Sequence, residues 1–243
     1  MLSLDEQLTA ITTHSKGLAA AAERDLTAAV EHCPGWDIAE LVRHVTEVHW
    51  LWGTIAAERL DAPPDESRRP VPPADDRLIE EFLAGAERMV GVLRDADQTA
   101  SVWTWYPPRR DIGFISRHQV QEAVVHRWDA AHAAGADWSV DPATAADCVE
   151  EFLTTSLADA DDLARLGAAL PGELTLAATD TGQHWTVAQE PSAGLVWRAG
   201  GATPMVEGTA AQILLWIYQR VELPVSAGHE DAVAVFRRLS GTD

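Results

Sequence analysis

Glu122 and His126 stand one helical turn apart in a segment read as helix, so both side chains can reach a single ion. His44, far upstream, lies on another helical segment. At 100° per residue it falls about 60° from Leu41 and about 40° from Val48, at the edge of that segment's apolar face. Two histidines and one carboxylate with an open fourth position form the ligand set of a catalytic zinc site, where a bound water or thiol loses its proton near neutral pH. Asp129, three residues beyond His126, is placed to orient an imidazole from outside the ligand set. The same spacing also fits a solvated polar face: Glu40 and His44 repeat the Glu-x-x-x-His pattern, and such pairs support exposed helices. Of the nine histidines, His14, His32, His184 and His229 read as surface or loop residues, His49 and His132 as packing residues, and His118 as a neighbour of the metal ligands.

The elements that must position these residues follow from periodicity and caps. Residues 3–30 carry Leu4, Leu8, Ile11 and Leu18 at helical spacing, and Cys33-Pro34-Gly35 ends that run. Asp37 with Glu40 opens a second helix presenting Leu41, Val45, Val48, Trp52 and Ile55. A proline-rich loop at 61–73 precedes a third helix at 76–95. The aromatic, basic loop 103–111 precedes a fourth at 116–134, with Ser116 and Gln119 as its capping box. The fourth segment has two mixed faces. Ile115, His118, Glu122, Val125, His126, Asp129 and Ala133 share one side, while Val120, Val124, Trp128 and Ala131 lie opposite with Arg117, Gln121 and Arg127. Periodicity does not say which of these is buried. Asp141-Pro142 opens a fifth helix reaching 166. After Pro171-Gly172 the pattern becomes β: a hairpin turning at Asp180-Thr181-Gly182, two short strands at 195–198 and 204–207, a helix capped by Thr209 and Gln212, and a last helix at 229–240. The expected architecture is a four-helix bundle over 1–140 and a small α+β domain with a mostly antiparallel sheet over 141–243.

Composition narrows the function. The chain has 243 residues with 18 basic and 38 acidic side chains, a net charge of −20. That charge opposes nucleic acid and anionic membrane surfaces, and it requires any anionic substrate to be met by local arginines. No apolar run is long enough to span a bilayer and no signal peptide is evident, so a cytoplasmic protein is expected. Cys33 and Cys148 are widely spaced and read as reduced thiols, Cys33 as a small buried one. There is no CxxC, GxGxxG, Walker loop or GxSxG elbow. Trp103 and Trp105 beside Arg109 and Arg110 suggest a pocket wall or lid.

Cys33-Pro34-Gly35-Trp36-Asp37 followed by Leu41-Val42-Arg43-His44-Val45 resembles the opening of the mycothiol-dependent maleylpyruvate isomerase family, and Glu122-x-x-x-His126-Arg127-Trp128-Asp129 resembles its second metal motif. Thr179-Asp180-Thr181-Gly182 with Trp185, and Gly208-Thr209 through Leu214-Leu215-Trp216-Ile217-Tyr218-Gln219-Arg220, resemble its C-terminal domain. The resemblance spans nearly the whole chain. It implies a DinB-like metal-binding bundle and a C-terminal domain similar to sterol-carrier-protein folds. It implies a divalent metal, usually zinc, on His44, Glu122 and His126, with mycothiol, a thiol of actinobacteria, as cosubstrate. The implied reaction is cis–trans isomerisation of maleylpyruvate to fumarylpyruvate by thiolate addition, rotation and elimination. Arg220 matches a family position linked to catalysis; Arg198, Arg109 and Arg110 are alternative partners for the dicarboxylate. A mycothiol S-transferase acting on another electrophile would need the same ligands, and a non-catalytic metal- or small-ligand-binding module is the reading from a different class. The expected partners are the small-molecule substrate and the thiol, with the protein a monomer.

Overall fold

The structure, a computed structural model, describes residues 1–201 and 203–240; residues 202 and 241–243, the last three belonging to the expected second domain, lie outside the described residues. The chain divides into two units, Met1–Trp138 and Ser139–Asp243.

The first unit is all-helical: α1 Leu4–Ala22, α2 Ile38–Glu58, α3 Asp75–Asp95 and α4 Ile112–Ala133, with a single 3-10 turn at Glu66–Arg68. Packing partners run α1–α3–α2–α4 and back to α1 around the bundle. Capping boxes open α1 at Ser3 with Glu6 and α2 at Asp37 with Glu40, satisfying backbone donors that a helix start leaves unpaired. The helix expected over 3–30 stops at Ala22, because Asp25 accepts from the Thr27 backbone at 2.9 Å and turns the chain. The next stretch closes with Ala29 bridging Asp37.

The fourth helix begins four residues earlier than its expected start. Asp111, not Ser116, is its N-cap, accepting from Phe114 N at 2.8 Å, while the guanidinium of Arg109 grips the Asp111 carboxylate through two bonds of 2.7 and 2.9 Å. Ser116 is buried and donates to Gln98 Oε1 at 2.7 Å. α4 is buried nearly all round, with Ile115, Gln119, Val120, Ala123, Val124, Val125, Asp129 and Ala130 all inside. Burial on several sides is why it lacks one clean apolar stripe.

The second unit contains α5 Pro142–Thr155, α6 Ala160–Leu166, β1 Leu174–Ala178, β2 His184–Glu190, β3 Gly194–Ala199, β4 Val206–Gly208, α7 Ala210–Ile217 and α8 Glu230–Leu239. The expected fifth helix is broken: the chain leaves α5 at Ser156, and Asp159 caps α6 anew by accepting from Asp162 N. The sheet order is β3-β2-β1-β4, antiparallel except for the parallel β1–β4 pair. Thr175 and Thr186 face each other in this sheet and share a buried hydroxyl bond of 2.9 Å, which fixes the β1–β2 register. Trp185, Trp216, Phe152 and Phe236 fill the core behind it. The capping box at Thr209 and Gln212 opens α7 as the sequence indicates. The protein thus has the expected two-part fold class, a helical bundle and a mixed α+β unit.

Candidate metal centre

α2 and α4 lie side by side in the bundle, and that adjacency brings together residues 78 or more positions apart. One ligand atom from each of His44, Glu122 and His126 falls within a mutual 4.8 Å, the span of a single coordination sphere. The His44 and His126 rings meet edge to face with centroids 5.2 Å apart. Trp36, at the turn before α2, packs on His44 at 5.0 Å and limits the directions that ring can take. His126 Nε2 lies 3.4 Å from Glu122 Oε2, and its Nδ1 lies 3.1 Å from Asp129 Oδ2. The Asp129 side chain is fully buried. Its contact reserves Nδ1 as the proton-bearing nitrogen and leaves Nε2 facing the other two ligands, the tautomer that metal-binding histidines adopt when a carboxylate holds their far side.

The electrostatics are those of a carboxylate paired with an imidazolium, whose Nε2 proton a bound cation would displace. Burial alone would raise the Glu122 carboxyl, but the contact with His126 and the positive charge it carries, with lesser help from the neighbouring histidines, outweigh it and hold it at about 2. Burial works against a charged His126, yet bonds to Asp129 and Glu122 push it up to about 9. His44 moves the other way, lowered by burial and then by the His126 charge, so it is neutral and ready to ligate. Glu122 Oε2 is buried, and its one close partner is His126 Nε2 at 3.4 Å, an ion pair too long and poorly aligned for a well-made hydrogen bond. A buried anionic oxygen held only by such a contact is costly unless a further cation faces it. The donor set of two imidazoles and one carboxylate, with this oxygen among its atoms, fits a zinc-class divalent cation.

An aromatic wall flanks the cluster. His118 Nε2 lies 3.5 Å from Glu122 Oε1, and its ring packs on Phe114 at 5.7 Å and Trp105 at 5.5 Å. Trp103 stacks on Trp52 at 5.9 Å. The loop of Trp103 and Trp105 therefore stands beside the candidate centre, whereas its Arg109 is engaged in holding the Asp111 cap.

The structure revises several residues. Cys33 is half-buried, and its sulfur lies within a mutual 4.8 Å of ligand atoms of His126 and Asp129, so it stands beside the cluster rather than in a remote core. His14 is buried, not superficial; its Nδ1 sits 3.3 Å from Arg127 Nη1, and burial with that charge lowers it to about 4. His49 packs as expected, stacked on Phe82 at 5.4 Å, and burial lowers it to about 4. His132 is exposed and stacks on Trp128 at 4.7 Å. In the second unit, Arg220 donates to Tyr218 O at 2.8 Å and lies over the Tyr218 ring, while Arg198 pairs with Glu173 at 2.6 Å.

Comparison with known proteins adds three findings. A family model described as the mycothiol maleylpyruvate isomerase N-terminal domain matches residues 8–131. A crystal structure titled mycothiol-dependent maleylpyruvate isomerase aligns with a TM-score of 0.62 at 16% identity, covering 93% of this chain and 94% of that one. A histidine-to-alanine mutant of a protein with that title aligns at 0.61 and 15%, with the same coverage. At these identities the structural likeness establishes shared fold. No protein of curated function matches the sequence.

Proposed function

The chain belongs to the mycothiol maleylpyruvate isomerase N-terminal domain family, and from that membership we propose that it is a metal- and thiol-dependent isomerase converting maleylpyruvate to fumarylpyruvate, with His44, Glu122 and His126 as the metal ligands. The observation that carries this reading is the convergence of ligand atoms from His44, Glu122 and His126 within a mutual 4.8 Å, with the buried Glu122 Oε2 held only by its 3.4 Å contact to His126. A zinc ion there would supply Lewis acidity, lowering the pKa of a coordinated thiol or water toward neutrality.

The protein's own residues do the rest. Asp129 holds His126 in one tautomer and rotamer. Glu122 contributes a negative charge that attracts the cation and offsets part of its charge. His118, Phe114 and Trp105 form a wall that keeps water from one side of the reacting atoms. The proposed reaction is addition to the cis double bond beside the carbonyl, rotation about what is then a single bond, and elimination to the trans product with the thiol regenerated. The substrate is a dicarboxylate and the chain carries a charge of −20, so a guanidinium must hold it. Arg220, which matches a family position linked to catalysis, is our candidate for that role; within its own unit its guanidinium donates to Tyr218 O.

The non-catalytic binding module loses ground, because the stripe of α4 is not turned to solvent: Glu122 and His126 side chains are only 19% and 15% exposed. The experiment is metal analysis of the purified protein beside His44→Ala and His126→Ala, followed by product analysis with mycothiol and maleylpyruvate. Near-stoichiometric metal in the wild type, lost in both variants, with fumarylpyruvate formed and the reaction suppressed in Arg220→Ala, supports the proposal. A protein that takes up no metal overturns the site. A loaded protein that conjugates electrophiles without isomerising maleylpyruvate is a mycothiol S-transferase.

A further inference from the structure

We propose that the cavity between α2 and α3, beneath the proline-rich segment 64–74, is a second binding site that takes an apolar organic acid. Its volume is about 720 Å³, within the range that holds drug-sized ligands. None of His44, Glu122 or His126 lines it. One wall is the α2 face bearing Trp50 and Gly53, the other the α3 face bearing Gly85, Arg88 and Met89. Residues Pro70–Pro73 line the outer side, which is partly open to solvent.

Two independent features indicate that the space is kept for an occupant. First, Gly53 and Gly85 sit inside helices, where glycine costs roughly 1 kcal/mol relative to alanine. Close helix packing does not demand them. A Cβ on Gly53 would meet Met89 at an ordinary 3.7 Å, and one on Gly85 would meet only the tip of Arg88 at 3.8 Å. What their missing side chains preserve is open volume. Second, the other two cavity arginines are committed, Arg43 to Asp75 and Arg77 to Glu80 and Glu81, but among the described residues the exposed Arg88 forms no ion pair or side-chain hydrogen bond. An uncommitted guanidinium at the rim of an apolar space selects a carboxylate or sulfonate attached to an apolar body.

The covering segment is suited to admitting such a ligand. It is tied down by exposed ion pairs, Arg68 with Glu58 and Arg69 with Glu47 at 3.6 Å, and such pairs contribute little individually.

The test uses the full-length protein and calorimetric titration with 1-naphthaleneacetate and its uncharged amide. Saturable one-to-one binding of the acid, with the amide roughly tenfold weaker, is expected. Arg88→Gln should weaken the acid about tenfold and leave the amide unchanged. Gly85→Leu should abolish binding of both, and its thermal midpoint should match or exceed that of the wild type, which separates filling from misfolding. Metal content should be the same in all three proteins, so failure here is distinct from failure of the metal centre. No saturable binding up to millimolar acid, or binding that neither variant alters, overturns the proposal.

Discussion

Asp129→Asn is the sharpest test of how the cluster is held. The substitution keeps the side chain's shape and an oxygen able to accept the proton of His126 Nδ1, and removes only the charge. The oxygen–nitrogen separation is 3.1 Å and the carboxylate is fully buried. At an effective dielectric of about 20 the charge–charge attraction is about 5 kcal/mol before desolvation, and desolvation of the buried carboxylate offsets a large part. Carboxylates holding a ligating imidazole from behind are typically worth about 1.4–2.7 kcal/mol, a 10- to 100-fold change in metal affinity. Zinc affinity of Asp129→Asn, measured by competition with a chromophoric chelator at pH 7, should therefore fall 10- to 100-fold. Asp129→Ala, which also removes the acceptor, should fall further. Affinity within threefold of wild type in both variants would refute the idea that Asp129 orients His126.

Two further predictions follow from the same structure. His14 and His49 are both held at about 4, below the ordinary value of 6.5, because burial disfavours their charged forms. Their folded pKa values lie below the unfolded ones, so the unfolded chain takes up protons first as pH falls. Their neutral burial costs nothing above about pH 6.5; stability then drops toward pH 4, by roughly 2 kcal/mol per histidine at pH 5. Urea unfolding at pH 7 and pH 5 should show that loss, reduced by about half in His49→Phe; equal stability at the two pH values would count against it. Gly194→Ala should cost more than about 2 kcal/mol, because Gly194 has φ +90° and a Cβ there would lie 2.4–2.6 Å from the backbone of Ala158 and Asp159. A thermal midpoint unchanged from wild type would show that the segment relaxes instead.

What could be read from the sequence tracks where local chemistry decides structure. α2 announces itself through a capping box and a one-sided apolar face, α7 through a capping box ahead of an almost continuous apolar run. The hairpin announces itself through alternation around a glycine turn. α4 does not, because a helix buried on nearly all sides has no contrast between faces, and its true cap, Asp111, lies in a loop whose aromatic and proline content masks it. The break at Ser156 is equally silent, since α5 and α6 share one helical composition. The candidate ligands emerged as a pattern, but spacing alone left them undecided between a metal site and a solvated face. The resemblance at Glu122 through Asp129 supplied the choice. The place of Cys33 beside His126, and the orphaned nitrogen of His49, depend on long-range packing that no local signal encodes.

The sheet of the second unit has one more consequence, for self-association. Its outer strands are the places where another chain could add by main-chain pairing. β4 has only three residues, and its outer side is already taken by Val225 and Ser226, the latter donating to Met205 O at 2.9 Å. β3 begins under the backbone of Ala158, whose carbonyl accepts from Leu195 N at 2.8 Å. The β4 border is thus occupied by the protein's own chain and the β3 border is covered at its start, which shortens the strand on which a second copy could template itself during folding.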